Sequence, residues 1–548
     1  MGSPLGGTKS IGFYDAAHTA SIGRHFSRVV KLSRSGRAIG LSARYDGQVE
    51  QTGRTAWIAS WGGGTRRIGL YLDSPTTVEG AFWNDVFDLN EAGQSIGIAR
   101  FADGQHAWVA DVYGATRAIG LMDEAHMSAG RAPFNTPVAL NASGTVVGNT
   151  EWSGGQAAWL QSKRADVPAR LIGIYDEKHT LPDGTVDNGV FALNAHGYAV
   201  GYARYGEELE GYTYRYDDGW VSTPAGETIL IADGVARFIT NSGLVAGYSR
   251  FEYSGGYPWI YDIATGTLRT LYRDPSQGGG SYPDFLTEDG VVIGRFSGGQ
   301  RYASHLAWLA PAGQEPVLIG IYDDEHDGGS SWSYYETSSV AIASNGLTVG
   351  TSRQMHTGGM TAWVASPATA QTDRIGQYGG VYDGAVHEVD KGWYVLSSVT
   401  HASLPTHVTS TRFVAGYSLR YHGDDVPEGR TAWIYNGAAG RYATFEFSVR
   451  PSDGYAYSMV RVLLENGIAV GTYTKFADDG TDLGDRAFVW VTGRGAYDLG
   501  SVLNVDPETV DWDYLASGIV VNEDGVIAGH GVPLDSTSQG VFLARLNR

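Results

Sequence analysis

One hairpin, repeated along the whole chain, constrains this sequence more than any other feature. In the stretch 87–126, FDLNEAGQSIGIARFADGQHAWVADVYGATRAIGLMDEAH, the first part reads apolar-x-Leu-Asn-x-x-Gly-x-x-Ile-Gly. It predicts a short strand, a tight turn and a second strand, because Asn and Gly accept the left-handed backbone such a turn needs. A third strand follows at His106-Ala-Trp-Val and a fourth at Ala118-Ile-Gly-Leu. Four short antiparallel strands per unit are the pattern of a propeller blade. The second hairpin glycine recurs at positions 40, 97, 148, 201, 247, 294, 350, 416, 471 and 529, which gives ten copies. Propellers usually carry about four to eight blades.

Nine copies lead into an Ala-Trp-like strand, with Trp at 57, 108, 159, 259, 308, 363, 433 and 490 and Arg215 where the fourth copy should have Trp. The tenth ends at Gly540-Val-Phe-Leu-Ala-Arg-Leu with no fourth strand, while a spare one, Ser10-Ile-Gly-Phe-Tyr-Asp, stands at the beginning. The expectation is an all-β chain, one propeller domain over 1–548, closed by residues 9–15 as the missing strand of the last blade. The eighth copy is degenerate, and 378–407 reads as an irregular insertion. The opening Met-Gly-Ser-Pro-Leu-Gly-Gly reads as a tag remnant, with residues 1–8 outside the fold.

Composition narrows the function classes. A formal charge of −20 disfavours nucleic acid and anionic membranes. No run of eighteen apolar residues is present. Zero cysteines exclude disulfides and thiolate metal sites, leaving a secreted and a cytosolic protein equally open. Only six of the 39 basic residues are Lys, a bias that favours planar recognition of carboxylate or sulfate.

Two features recur around the ring: a basic-aromatic pair after the hairpin (Arg44-Tyr45, Arg100-Phe101, Arg204-Tyr205, Arg250-Phe251, Arg420-Tyr421, Lys475-Phe476) and Asp-x-x-His after the fourth strand (Asp15/His18, Asp123/His126, Asp176/His179, Asp323/His326). Repetition favours a structural role for both. Departures are more informative, since the fold alone does not ask for them. His106 stands two residues before Trp108, where other copies carry Thr, Ala, Tyr, Leu or Phe. Arg215 replaces a large apolar side chain and should therefore face a polar cleft or an anion. Asn149 and Glu151-Trp152 replace the basic-aromatic pair of the third copy, and Tyr202 and Tyr248 follow the hairpin glycine in copies four and five. These residues fall in successive copies and so in one sector.

Other motifs are poor. The turn 477–485 offers Asp478, Asp482 and Asp485 to a structural Ca²⁺ but lacks the closing Glu of an EF-hand, so a solvated acidic turn is preferred. No Gly-x-Ser-x-Gly elbow and no His-Glu-x-x-His occurs.

The repeated hairpin, the Ala-Trp strand, the Ile-Gly-x-Tyr-Asp-x-x-His segment and the twenty-residue separation of His106 and His126 resemble the β-propeller ulvan lyases, polysaccharide lyase families twenty-four and twenty-five. That family is described as seven-bladed, so ten copies are a departure. The resemblance implies a secreted or periplasmic monomer, its leader removed, that cleaves a sulfated, uronate-containing polysaccharide by β-elimination without a cofactor. By motif position it implies His106, His126, Tyr202 and Arg215 as catalytic residues, with Tyr205 as the alternative tyrosine. Arg215 would neutralise the uronate carboxylate. His106 as base and Tyr202 as acid, or the converse, would move the protons, a Tyr near Arg being open to a lowered pKa. Asn149, Glu151, Arg204, Tyr205, Tyr248 and Arg250 would bind flanking sugars. The alternatives are a non-catalytic carbohydrate-binding propeller and a glycoside hydrolase, which needs a suitably spaced carboxyl pair.

Overall fold

In the computed structural model, ten four-stranded antiparallel units follow one another at 27–68, 83–119, 134–172, 186–233, 235–270, 280–319, 337–375, 403–445, 456–498 and 512–545, here blades 1 to 10. The structure describes residues 8–546 apart from 72–81, 127–133, 153, 165, 210–211, 252–254, 272–279, 298–304, 328–334, 391–394, 425, 504–511 and 535–537. Blade 10 has three strands of its own. Its fourth is Thr8–Ile11, paired antiparallel with Gly540–Arg545, so the beginning of the chain completes the last blade as expected.

The hydrophobic core is divided among the seams between blades. Ten buried clusters each straddle one pair of successive blades, and one of them joins Val29, Ala38 and Trp57 of blade 1 to Ala528, Val541 and Leu543 of blade 10. The repeat count of ten is therefore the blade count, and the ring closes. At each seam a fully buried ring from the third strand packs against the preceding blade, as Trp108 does against Ile39 and Ile58. That ring explains the second hairpin glycine. A Cβ on Gly97 would lie 2.4 Å from the Trp108 ring and 2.0 Å from the Asp85 carbonyl oxygen, so the position demands space. The hairpin asparagines also cross seams: Asn90 donates to Asn141 O, Asn141 to Asn194 O, Asn194 to Thr240 O, and Asn522 of blade 10 to Ser33 O of blade 1. Each replaces water on a buried carbonyl, which would otherwise be costly.

Two register expectations are corrected here. Trp220, not Arg215, lies opposite Gly201, because the strands Ala199–Leu209 and Tyr212–Ser222 are the longest pair in the ring and carry the Trp five residues further on. In blade 9 the ring opposite Gly471 is Phe488, and Trp490 lies opposite Ala469. The insertion is narrower than expected: Val386–Asp390 and Val395–Val399 form a separate hairpin, while Ser403–Val408 is already the first strand of blade 8.

Candidate functional site

Second strands end, and third strands begin, at the same end of the ring as the connections between blades, as the parallel pairings Arg54 with Trp83 and Gln156 with Asp187 require. His106, His126, Asn149, Glu151, Tyr202, Arg204, Tyr205, Arg215 and Tyr248 all belong to this one end. The side chain of Arg250 lies outside the described residues.

The Asp-x-x-His segments form a repeated seam device. His18, His126, His179 and His326 are buried, and each ring Nδ1 lies 2.5–2.6 Å from the Asp three residues earlier. In blades 1, 4 and 7 the other nitrogen meets the residue two before the seam Trp: Thr55 at 2.8 Å, Asp218 at 3.0 Å and Thr361 at 2.8 Å. His106 occupies that second position in blade 2, whereas His126 occupies the first position for blade 3, whose second position is Ala157. The twenty-residue spacing therefore does not make these histidines partners. His126 packs edge-on against Trp152 at 4.9 Å, and its Asp bond suits a structural role. His106 is part exposed, edge-on to Phe101 at 4.9 Å, with Nε2 3.4 Å from Asp103.

Blade 4 carries the densest polar network. The Tyr202 hydroxyl donates to Asp187 at 2.9 Å and accepts from Gln156 at 3.2 Å. Arg204 donates to Asp187 at 2.6 Å and Asp217 at 2.8 Å. Gly189 makes room for the Tyr202 ring, since a Cβ there would come within 2.4 Å of it. Burial, followed by the charge of Asp187, pushes the Tyr202 pKa up, the reverse of the lowered value expected from a nearby Arg. Arg204 is clasped by two carboxylates that hold its pKa up against burial. Arg215 is exposed on the long hairpin, with Asp183 in its field, and faces no buried cleft because it never occupied the Trp position. Asn149 is used internally, accepting from Val190 N at 2.9 Å, and Tyr248 packs edge-on against Tyr282 at 5.0 Å. Glu151 is exposed at the rim.

Sequence reasoning missed Asp187, Asp217 and Asp218, which are spread over two strands of blade 4 and meet only through its pairing. Lys178 bonds Asp218 at 2.5 Å and lies 3.9 Å from the centre of the Tyr205 ring. Tyr205 is also stacked on Tyr216 at 5.4 Å. At the acidic turn, Asp482 accepts from Gly484 N and Asp485 from Thr474, and the two do not gather with Asp478. The one metal-like cluster among the described residues is Asp323, Glu325 and His326. Arg374 already bridges its two carboxylates at 3.3 Å, so a guanidinium supplies the charge a cation would bring.

No family model matches the chain, and no curated protein matches it. Solved structures do. A structure from work on two prolyl endopeptidases matches with TM-score 0.37 and 10% identity over 72% of this chain and 55% of that one. Puromycin hydrolase matches with TM-score 0.32 and 12% identity over 78% and 60%. The β-propeller domain of the Trilobed protease from Pyrococcus furiosus, described as having an open velcro topology, matches with TM-score 0.31 and 10% identity over 65% and 99%. This chain thus spans little more than half the length of the first two. The fold class is the β-propeller. The expected polysaccharide lyase is corrected on the geometry: the hydroxyl expected to shuttle protons is fixed between Asp187 and Gln156, and its pKa is raised rather than lowered.

Proposed function

We propose that the protein is a carbohydrate-binding propeller whose ligand lies across blades 2 to 4 at the connection end of the ring. One observation carries this reading. Phe101, Trp152 and Tyr205 stand four residues after the hairpin glycine in three successive blades, part exposed, each edge-on to an imidazole. In blades 1, 8 and 9 the aromatic residue stands five residues after the glycine instead, and Tyr45, Tyr421 and Phe476 are buried. Phe101 and Trp152 offer flat apolar surface to the C–H side of a pyranose, Tyr205, with Lys178 over it and Tyr216 stacked on it, closes the row, and neighbouring polar groups meet the hydroxyls. Asp103, Glu151 and Lys178 stand beside them.

Of the described cations in this sector, Arg54 is paired with Asp85, Lys178 with Asp218 and Arg204 with Asp187 and Asp217, while Arg100 and Arg215 are exposed. The pairing of three of these five favours a glycan of low charge over a polyanion. It also speaks against a hydrolytic carboxyl pair, because Asp187 and Asp217 share one guanidinium, which leaves neither placed to act as a protonated acid. Affinity electrophoresis through gels holding a neutral β-glucan or sulfated ulvan tests the proposal. Retardation by the glucan, lost in Trp152→Ala, is expected. Unchanged mobility in both gels would overturn it.

A further inference from the structure

Across the ring, at the seam between blades 8 and 9, a guanidinium stands without a carboxylate. Arg430 and Arg54 occupy the same repeat position, each at the start of a third strand and paired in parallel with the next blade, Arg54 with Trp83 and Arg430 with Tyr457. Each lies against that aromatic ring, at 4.8 Å for Arg54 and 4.2 Å for Arg430. Two residues further along the partner strand the seams diverge. Blade 2 has Asp85, which accepts from Arg54 at 3.0 Å. Blade 9 has Met459, whose sulfur is 3.1 Å from Arg430.

Arg430 also packs on Tyr417 at 4.7 Å and donates to the Tyr457 hydroxyl. No carboxylate among the described residues pairs with it, and its Nε is buried without a partner. The hydroxyl of Thr472, directly across the strand pair from Met459, is a second buried polar atom without a partner. Arg430 is part exposed, but a buried guanidinium N–H left without an acceptor is costly. The Tyr rings lie against the guanidinium, its hydrogen-bond contacts among the described residues, to Tyr457 and Met459, both run through Nη2, and edge-on, in-plane contact is how guanidinium holds a carboxylate. One cation among Tyr and Met side chains matches a monoanion better than a dianion.

We infer that Arg430, Tyr417, Tyr457, Met459 and Thr472 form a binding site for a single carboxylate group, built where blade 2 carries its own in Asp85. Occupancy stabilises the folded protein by RT ln(1 + L/Kd), where L is the free ligand concentration. The test is thermal unfolding in sodium acetate against sodium chloride at equal ionic strength, with sodium sulfate as a third arm. Wild type is expected to gain a rise in Tm in acetate that grows with the logarithm of its concentration above Kd. Arg430→Gln, and Met459→Asp, which installs the blade 2 carboxylate, should each weaken the apparent affinity at least tenfold, while Arg54→Gln keeps the rise. In wild type alone, the Arg430 side-chain N–H resonance should shift with acetate, a readout that does not depend on either variant folding. The same rise in all four proteins, no rise and no resonance shift in wild type, or a larger rise in sulfate than in acetate would each overturn the assignment.

Discussion

Blades 2 to 4 and blades 8 to 9 are built from one repeat yet treat its aromatic position, and the Arg that opens the third strand before the seam, in opposite ways. In the first sector the aromatic four residues after the hairpin glycine is part exposed, and Arg54, Lys178 and Arg204 beside it are held by aspartates. In the second, Tyr421 and Phe476 are buried, shifted one residue along, and no carboxylate among the described residues pairs with Arg430. The difference teaches that the ring fixes backbone and seam, while each sector is free to decide whether apolar faces or charge are left for a ligand. The first sector suits a neutral sugar surface, the second a single anion.

The comparison breaks first if the scaffold itself differs between sectors. Trp159→Ala and Trp433→Ala each remove a fully buried seam ring and should each cost about 3–5 kcal/mol in urea unfolding. Costs that differ severalfold would place the contrast in the seams rather than on the surface. The second test is on binding: Trp152→Ala and Tyr205→Ala should each weaken glycan binding about tenfold in calorimetry, the scale of a loss above 1 kcal/mol at an interface anchor. Tyr45→Ala and Tyr421→Ala, at buried rings, should lower stability and leave affinity unchanged.

Acid sharpens the contrast further. Burial lowers the pKa of His401 and His407 beside or in blade 8, and of His530 in blade 10, below the usual 6.5. Such groups bind protons more readily unfolded, so their contribution to stability is complete above about pH 6.5 and falls as the pH drops below it. Hydrogen exchange at pH 5 against pH 7 should show blades 8 and 10 loosening before blade 4, where His179 lies between Asp176 and Asp218. The smallest effect belongs to the acidic turn of blade 9. Asp478→Asn with Asp482→Asn, at exposed positions, should change stability by less than about 0.5 kcal/mol with or without Ca²⁺.

The ring was legible because its physics is local. A glycine under a Trp and a glycine in a tight turn leave marks a few residues apart, and the spare Ser10-Ile-Gly predicted the closing strand that Thr8–Ile11 provides. Blade 4 misled the reading because its longer strands move Trp220 away from the expected spacing, which cast Arg215 as a buried oddity. Spacing also paired His106 with His126, although the seam device divides them between neighbouring blades. The environment of Tyr202 was hidden for a different reason: Asp187 and Gly189 come from another strand, and cross-strand neighbours leave no periodic mark. Arg430 went unnoticed because its distinction is a missing Asp, visible only once Arg54 and Asp85 are seen in contact.

The central claim is that the open aromatic row of blades 2 to 4 holds a glycan without cleaving it. Calorimetry of the full chain with a neutral β-glucan oligosaccharide, followed on the same sample by assays for new reducing ends and for ultraviolet-absorbing unsaturated ends, tests it most directly. Saturable heat that disappears in the Phe101→Ala, Trp152→Ala, Tyr205→Ala triple variant, with neither kind of new end, is the predicted result. New ends of either kind, or heat that survives in the triple variant, would contradict it.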